Sequence, residues 1–473
     1  MSAERPRKVR WTTPALAVLA AIAGCGGRTS DVPAGSGGLI PLPPAAVDAG
    51  TIAPDADVWV TDAAVVPCTI SADLALSPMI PTVGVVTWTS SLPDITQAEI
   101  HFGRSSVGSN EYVAPVDLTQ PSYRTLLLGM KGSTTYLVRI VATNGQGSCA
   151  SPDYTITTGP VPGSVPVQSV AVDESAPRAR GFIVTSTGLQ GSGAFIMDTD
   201  GAIVWWAKAP ASPSRIHMSW DGTQMYMMAL NVQNKDVGEI EVVGMDGSGA
   251  TSLPGFQTAH HDLTALPDGF ATLLWNQPGA DAPCSLVQWH QSTGVTTGVI
   301  ADLGTVYNSD TFHPNAVHYY PADDTYTVGD RNPNLFVKVS RAGELIWQFG
   351  GANPKDPTRF FGDVPGWSVN HGHQLLPDGT FLFFNNAAGE AWQYALDTTQ
   401  MTATCTWHYN AAGASSSVLG DIQRLPNGDN LVTFSTSGQI HEVDPSGKLV
   451  ARFTSATYGY AEFRASLYGP PPY

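Results

Sequence analysis

The chain has 473 residues, too many for one ordinary domain, so two folded domains are expected. Only 13% of the residues are charged, while 48 are Gly and 36 are Pro, which favours a turn-rich β protein with a surface of Ser, Thr, Asn and Gln. The net charge of −17 is spread along the chain, the opposite of what a nucleic-acid partner requires, and no nucleic acid is expected.

Residues 1–24 read as a lipoprotein signal peptide. Arg5, Arg7, Lys8 and Arg10 precede an apolar run from Pro14 to Gly24 that is too short to span a bilayer as a helix. The run ends Ile22-Ala23-Gly24-Cys25, which resembles a bacterial lipobox with Cys25 as the acylated first residue of the mature chain. An ordinary secretory signal with a chance cysteine is the alternative. Residues 25–66 are Gly, Pro, Ala, Ser, Thr and Asp with few aromatics, and read as a flexible, lipid-anchored linker. The expected location is the bacterial cell envelope, on the periplasmic side or the cell surface. With Cys25 assigned to lipid, Cys68, Cys149, Cys284 and Cys405 remain for two disulfides. The pairs Cys68–Cys149 and Cys284–Cys405 are favoured, since each falls within one predicted domain.

Residues 67–160 carry short alternating strands at sandwich spacing: Val83–Trp88, Gln97–Phe102, Arg124–Leu128, Thr135–Ala142 and Asp153–Thr158. The Trp88 strand, the corner ending at Tyr136 and the closing Thr157-Thr158-Gly159 resemble a fibronectin type III or Ig-like β-sandwich. A structural or docking module is expected, with carbohydrate binding as the alternative.

From residue 165 to 473 strands follow one another without a long helical period. Inner turns recur at Trp220-Asp221-Gly222, Pro267-Asp268-Gly269, Pro321-Ala322-Asp323, Pro377-Asp378-Gly379 and Pro426-Asn427-Gly428. Outer hairpins recur near Asp198, Met245, Ser292, Ser340, Asp397 and Asp444, a period that fits an all-β, six-bladed β-propeller with four strands per blade. Within this repeat His261, Asn315 and His371 each lie five residues before the residue that opens an inner turn, namely Leu266, Tyr320 and Leu376. Equal offsets in equivalent units bring these side chains to one mouth of the central channel, with His260 or His261 in the site, and His313 beside Asn315. Arg331 follows Asn315 by sixteen residues, enough for one strand, a turn and the return strand to the same mouth.

The pattern His260-His261-Asp262, then His313-x-Asn315 followed by Arg331, then Asn370-His371 before Gln374-Leu375-Leu376-Pro377-Asp378-Gly379, resembles the bacterial arylsulfate sulfotransferases. Phe336-Val337-Lys338-Val339, Gly343–Gly350 and Phe463–Tyr468 agree in texture, and the resemblance covers residues 165–473. It implies transfer of a sulfuryl group from an aryl sulfate to a phenolic acceptor, without nucleotide or other cofactor, through a sulfated histidine. Carried over by motif, His371 is the nucleophile. Arg331, Asn315 and neighbouring histidines stabilise charge on the transferred group, and His261 or His313 moves the phenol's proton. The family reads Gln-His-Asp where this chain has Asn370-His371-Gly372, and here the following stretch is Phe384-Asn385-Asn386-Ala387. The missing carboxylates would have oriented the histidine or bound a metal. Two other readings stand beside this one. A metal-dependent propeller would use His260, His261, His313, His371 and His373 as ligands. A non-catalytic ligand-binding propeller would survive loss of His371. His318 and His373 alternate with their neighbours and are expected to face the adjoining blade.

Overall fold

The computed structural model describes residues 64–104, 112–163, 169–210, 212–231, 237–277, 283–361 and 366–471. The signal peptide, Cys25 and nearly all of the linker lie outside them. No helix among the described residues is long and apolar enough to cross a membrane.

The first strands build a two-sheet sandwich. One sheet pairs Ile70–Leu76, Gly84–Ser90 and Thr125–Leu127; the other runs through Tyr112–Pro115, Gln97–Gly103, Thr135–Asn144 and Gly147–Ala150, with Tyr154–Thr157 also on Thr135–Asn144. Strict alternation drives it. Tyr136, Val138, Ile140 and Ala142 are fully buried on one face of their strand while the residues between them are part-exposed. Cys68 and Cys149 are disulfide-bonded, as expected.

Six antiparallel sheets then form the β-propeller. Blades two to five take their strands consecutively, with inner strands Pro213–Met218, Ala259–Leu266, Pro314–Tyr320 and Asn370–Leu375. Blade six begins with Asp421–Arg424 and gains Ser169–Val172 as a fifth strand on its outer side. Blade one takes its inner strand, Glu462–Arg464, from the C-terminal end of the chain and its other three from residues 182–208. The ring is therefore tied by both ends of the propeller sequence, which periodicity alone did not reveal. Middle strands are apolar on both faces because each is sandwiched between blades: Leu273, Trp275 and Leu286 of blade three pack on Val317, Tyr326, Val328 and Val337 of blade four. Each such side chain contributes roughly 1.5–3 kcal/mol by leaving water.

The sandwich is fused to blades one and two. Ile80, Val83 and Leu128 share a core with Phe182, Val184, Trp205 and Met245. Thr82 Oγ1 donates to Val204 O at 2.7 Å, and Lys131 pairs with Asp198 at 2.8 Å.

The expected Cys284–Cys405 disulfide does not form. Cys284 is a buried free thiol on the third strand of blade three, Cys284–His290, whereas Cys405 lies on the outer strand of blade five, Thr402–Asn410. All of blade four stands between them.

Candidate active site

The inner strands of blades two to five each carry a register shift near their start: between Pro213 and Arg215, Ala259 and Leu263, Pro314 and Ala316, and Asn370 and His373. A bulge turns consecutive side chains to different sides and so lets neighbouring residues serve different partners. Backbone strain accompanies it. His261 has φ +62°, and Val369, whose branched side chain disfavours this region, has φ +59°. The Val369 N–H is held by Asn334 Oδ1 at 2.8 Å.

His261, His313, His371 and Arg331 gather there. His261 Nε2 lies 3.2 Å from His313 Nε2, with the rings edge to face. The positive charge of Arg331 is among the causes that depress the pKa of His261, His313 and His371. Burial is the larger cause in each case; His313 and His371 are brought down to about 3. The Arg331 N–H donates to His313 O at 3.3 Å, and the buried Asp330 accepts from the His313 N–H at 2.8 Å. Asp330 also accepts from the Tyr307 hydroxyl, and burial raises its pKa to about 7.

His371 has the most defined surroundings. Its Nδ1 lies 2.6 Å from Asn386 Oδ1, while Asn386 Nδ2 donates to Ser416 O at 2.9 Å and Leu419 O at 2.7 Å. Because both amide protons are committed to carbonyls, Asn386 can offer His371 only an acceptor, so Nδ1 carries the proton. Nε2 is left as a bare lone pair, buried and without a hydrogen-bond partner.

His260 does not enter this cluster directly. It stacks on Trp275 at 4.0 Å between centroids, and its Nδ1 and Nε2 lie 3.0 Å from His261 Nδ1 and 3.2 Å from Cys284 Sγ. Cys284, His260, His261 and His313 thus form one hydrogen-bonded file along which proton positions are coupled. Asn315 is anchored to the neighbouring blade. One proton of its Nδ2 goes to Asn370 O at 2.7 Å, tying blade four to blade five, and its Oδ1 is buried without a partner.

The spacing argument found His261, His313, Asn315, Arg331 and His371 but missed Asn386, Cys284 and a buried ion triad. Arg215 donates to Asp262 at 2.6 Å and to Asp421 at 3.0 Å, with the Tyr460 ring 4.3 Å beneath it. Asp262 belongs to the His-His-Asp motif, yet its carboxylate serves Arg215 and the Val317 N–H, not the histidines. Among the described residues no group of three or more His, Cys, Asp or Glu is arranged to hold a metal ion. Four of the imidazole nitrogens are already spent within the histidine pairs, and Arg331 opposes a dication.

Residues 286–456 match the arylsulfotransferase family model. The span is about a third of the chain and includes His313, Asn315, Arg331, His371 and Asn386, but not His260 or His261. At the level of the family, the match supports an arylsulfotransferase domain. No curated protein matches the chain. Among solved structures it is similar to TolB from Acinetobacter baumannii, with TM-score 0.40, 10% identity, and 71% of this chain and 80% of that chain covered. It is also similar to a chain of the nidogen/laminin complex, with TM-score 0.41, 8% identity, and 61% and 99% covered. These scores are too low to carry functional meaning.

Proposed function

We propose that this protein moves a sulfuryl group from an aryl sulfate ester to a phenolic acceptor through a sulfohistidine at His371 Nε2. The observation that carries the reading is the fixed tautomer. Asn386 holds Nδ1–H, so the Nε2 lone pair is free to attack sulfur in an arginine-lined cluster. In the first half-reaction the Nε2–S bond forms, the S–O bond to the aryl group breaks, and the phenolate leaves. Burial keeps His261 and His313 neutral, so the phenolate takes its proton from solvent. In the second, the acceptor phenol attacks sulfur, the N–S bond breaks, and the phenol's proton passes to the neutral His261–His313 pair as base and from there to solvent. The equatorial sulfuryl oxygens carry the transition-state charge, as in phosphoryl transfer, and Arg331 stabilises them. The buried Asn315 Oδ1 suits the hydroxyl proton of the incoming phenol. The Cys68–Cys149 disulfide supports an oxidising compartment and hence the cell envelope.

The test is intact-protein mass spectrometry after mixing with an activated aryl sulfate. A mass gain of one SO3 is expected in the wild type and absent in His371→Ala. No adduct and no released phenol from folded protein would overturn the proposal.

A further inference from the structure

Farther along the same inner strands, past the Arg215–Asp262–Asp421 triad, all six blades contribute to a cavity of about 60 Å³ at the propeller axis. Four of its lining residues each carry a buried side-chain atom without a hydrogen-bond partner: Arg215 Nη2, His318 Nε2, His373 Nδ1 and Glu462 Oε2. Arg215, His373 and Glu462 are 3%, 0% and 8% exposed. Buried polar groups are ordinarily satisfied, so four on one cavity mark a place where something binds.

Each of these groups is held from behind, which fixes what it offers. Arg215 spends Nε and Nη1 on the two aspartates and presents a donor only. His373 spends Nε2 on Thr327 Oγ1 at 2.7 Å, and its ring lies edge to face on His318 at 4.7 Å. Burial keeps both imidazoles neutral, so each accepts or donates according to what it meets. Glu462 Oε2, an acceptor, has His217 Nε2 at 3.4 Å, beyond a good hydrogen bond. A donor-only group and an acceptor face one small space. An anion would sit against Glu462, and a cation against Arg215.

We infer that this cavity is a binding site for a small uncharged polyol, whose hydroxyls donate to Glu462, accept from Arg215 and pair with His318 and His373. The space takes about four to six water-sized groups, the size of a three-carbon polyol, and Leu263 and Ile422 supply apolar lining for its carbons. None of the four groups belongs to the sulfuryl-transfer machinery, so this inference stands apart from that reading.

Saturation-transfer NMR on the full chain with glycerol as probe tests it, with acetate and methylammonium as charged competitors. Transfer to glycerol is expected in the wild type, at least fivefold weaker in His318→Phe and in the isosteric Glu462→Gln, and undisturbed by either ion. Circular dichroism checks that the variants fold, and Glu462→Gln decides if His318→Phe does not. Absence of transfer, equal transfer in a folded variant, or displacement by acetate or methylammonium overturns the inference and leaves the cavity to ordered water.

Discussion

A buried imidazole beside a guanidinium loses its proton readily, and at His371 burial and then Arg331 bring the pKa to about 3 against the opposing pull of Asn386. The base form is therefore present through the whole range in which the protein works. With an aryl sulfate whose phenolate leaves unprotonated, the initial rate of adduct formation should stay level from pH 8 to about 5. An inflection near 6.5, the value of a free histidine, would mean that the imidazole titrates as in water. Asn386 acts through His371 rather than on substrate, and its loss has a distinct signature. Asn386→Leu keeps the volume but removes the acceptor, so the imidazole can take the wrong tautomer. Single-turnover adduct formation should fall by on the order of a hundredfold or more, while binding of a non-reactive aryl sulfate analogue weakens little. Equal loss of both would assign Asn386 a purely structural role.

At the level of the strand, the bulged start of blade five explains the departure at Gly372. A Cβ built there would lie 2.1 Å from Asp421 Oδ1 and 2.8 Å from Asp421 Cα. The carboxylate absent from blade five is thus replaced by one from blade six, which pairs with Arg215. Gly372→Ala should destabilise the protein by roughly 1–3 kcal/mol from overpacking, read as a lower denaturant midpoint. The exchange Gly372→Asp with Asp421→Gly should recover much of the loss by returning a carboxylate to Arg215. No recovery in the double variant would show that the two positions are not interchangeable. The strand also marks what the sequence could tell. His261, Asn315 and His371 were legible because a repeat places equal offsets at equal heights. Asn386 and Cys284 were not, since each reaches its histidine from another strand, a relation with no period. The false Cys284–Cys405 pair had the same origin: it rested on membership of one domain, whereas six blades separate residues by angle around an axis.

Seen as a whole, the propeller stores an unusual number of neutral histidines. His260, His261, His313, His318, His371, His373 and His441 all have depressed pKa values, chiefly through burial. A histidine whose folded pKa lies below its unfolded value gives stability that is complete above about 6.5 and is lost as pH falls toward the folded value. Asp330 and Asp421 run the other way, since burial raises them to about 7 and about 6, and they favour the folded state at low pH. Asp262 is raised as well, again by burial. Glu241, Asp429 and Glu442 are raised by burial too, so between pH 5 and 6.5 seven histidines take up protons on unfolding against six carboxyls that release them, and stability is expected to rise with pH. The apparent melting temperature should therefore fall steadily as pH is lowered from 6.5 to 5, and the unfolding reaction should absorb protons when followed in weakly buffered solution. A melting temperature that is level or rises on acidification would mean that several of these imidazoles reach water in the folded protein. The bare Nε2 of His371 and the two unpartnered imidazole nitrogens beside the axial cavity would then be the first contacts to re-examine, because both sites depend on histidines held neutral by burial.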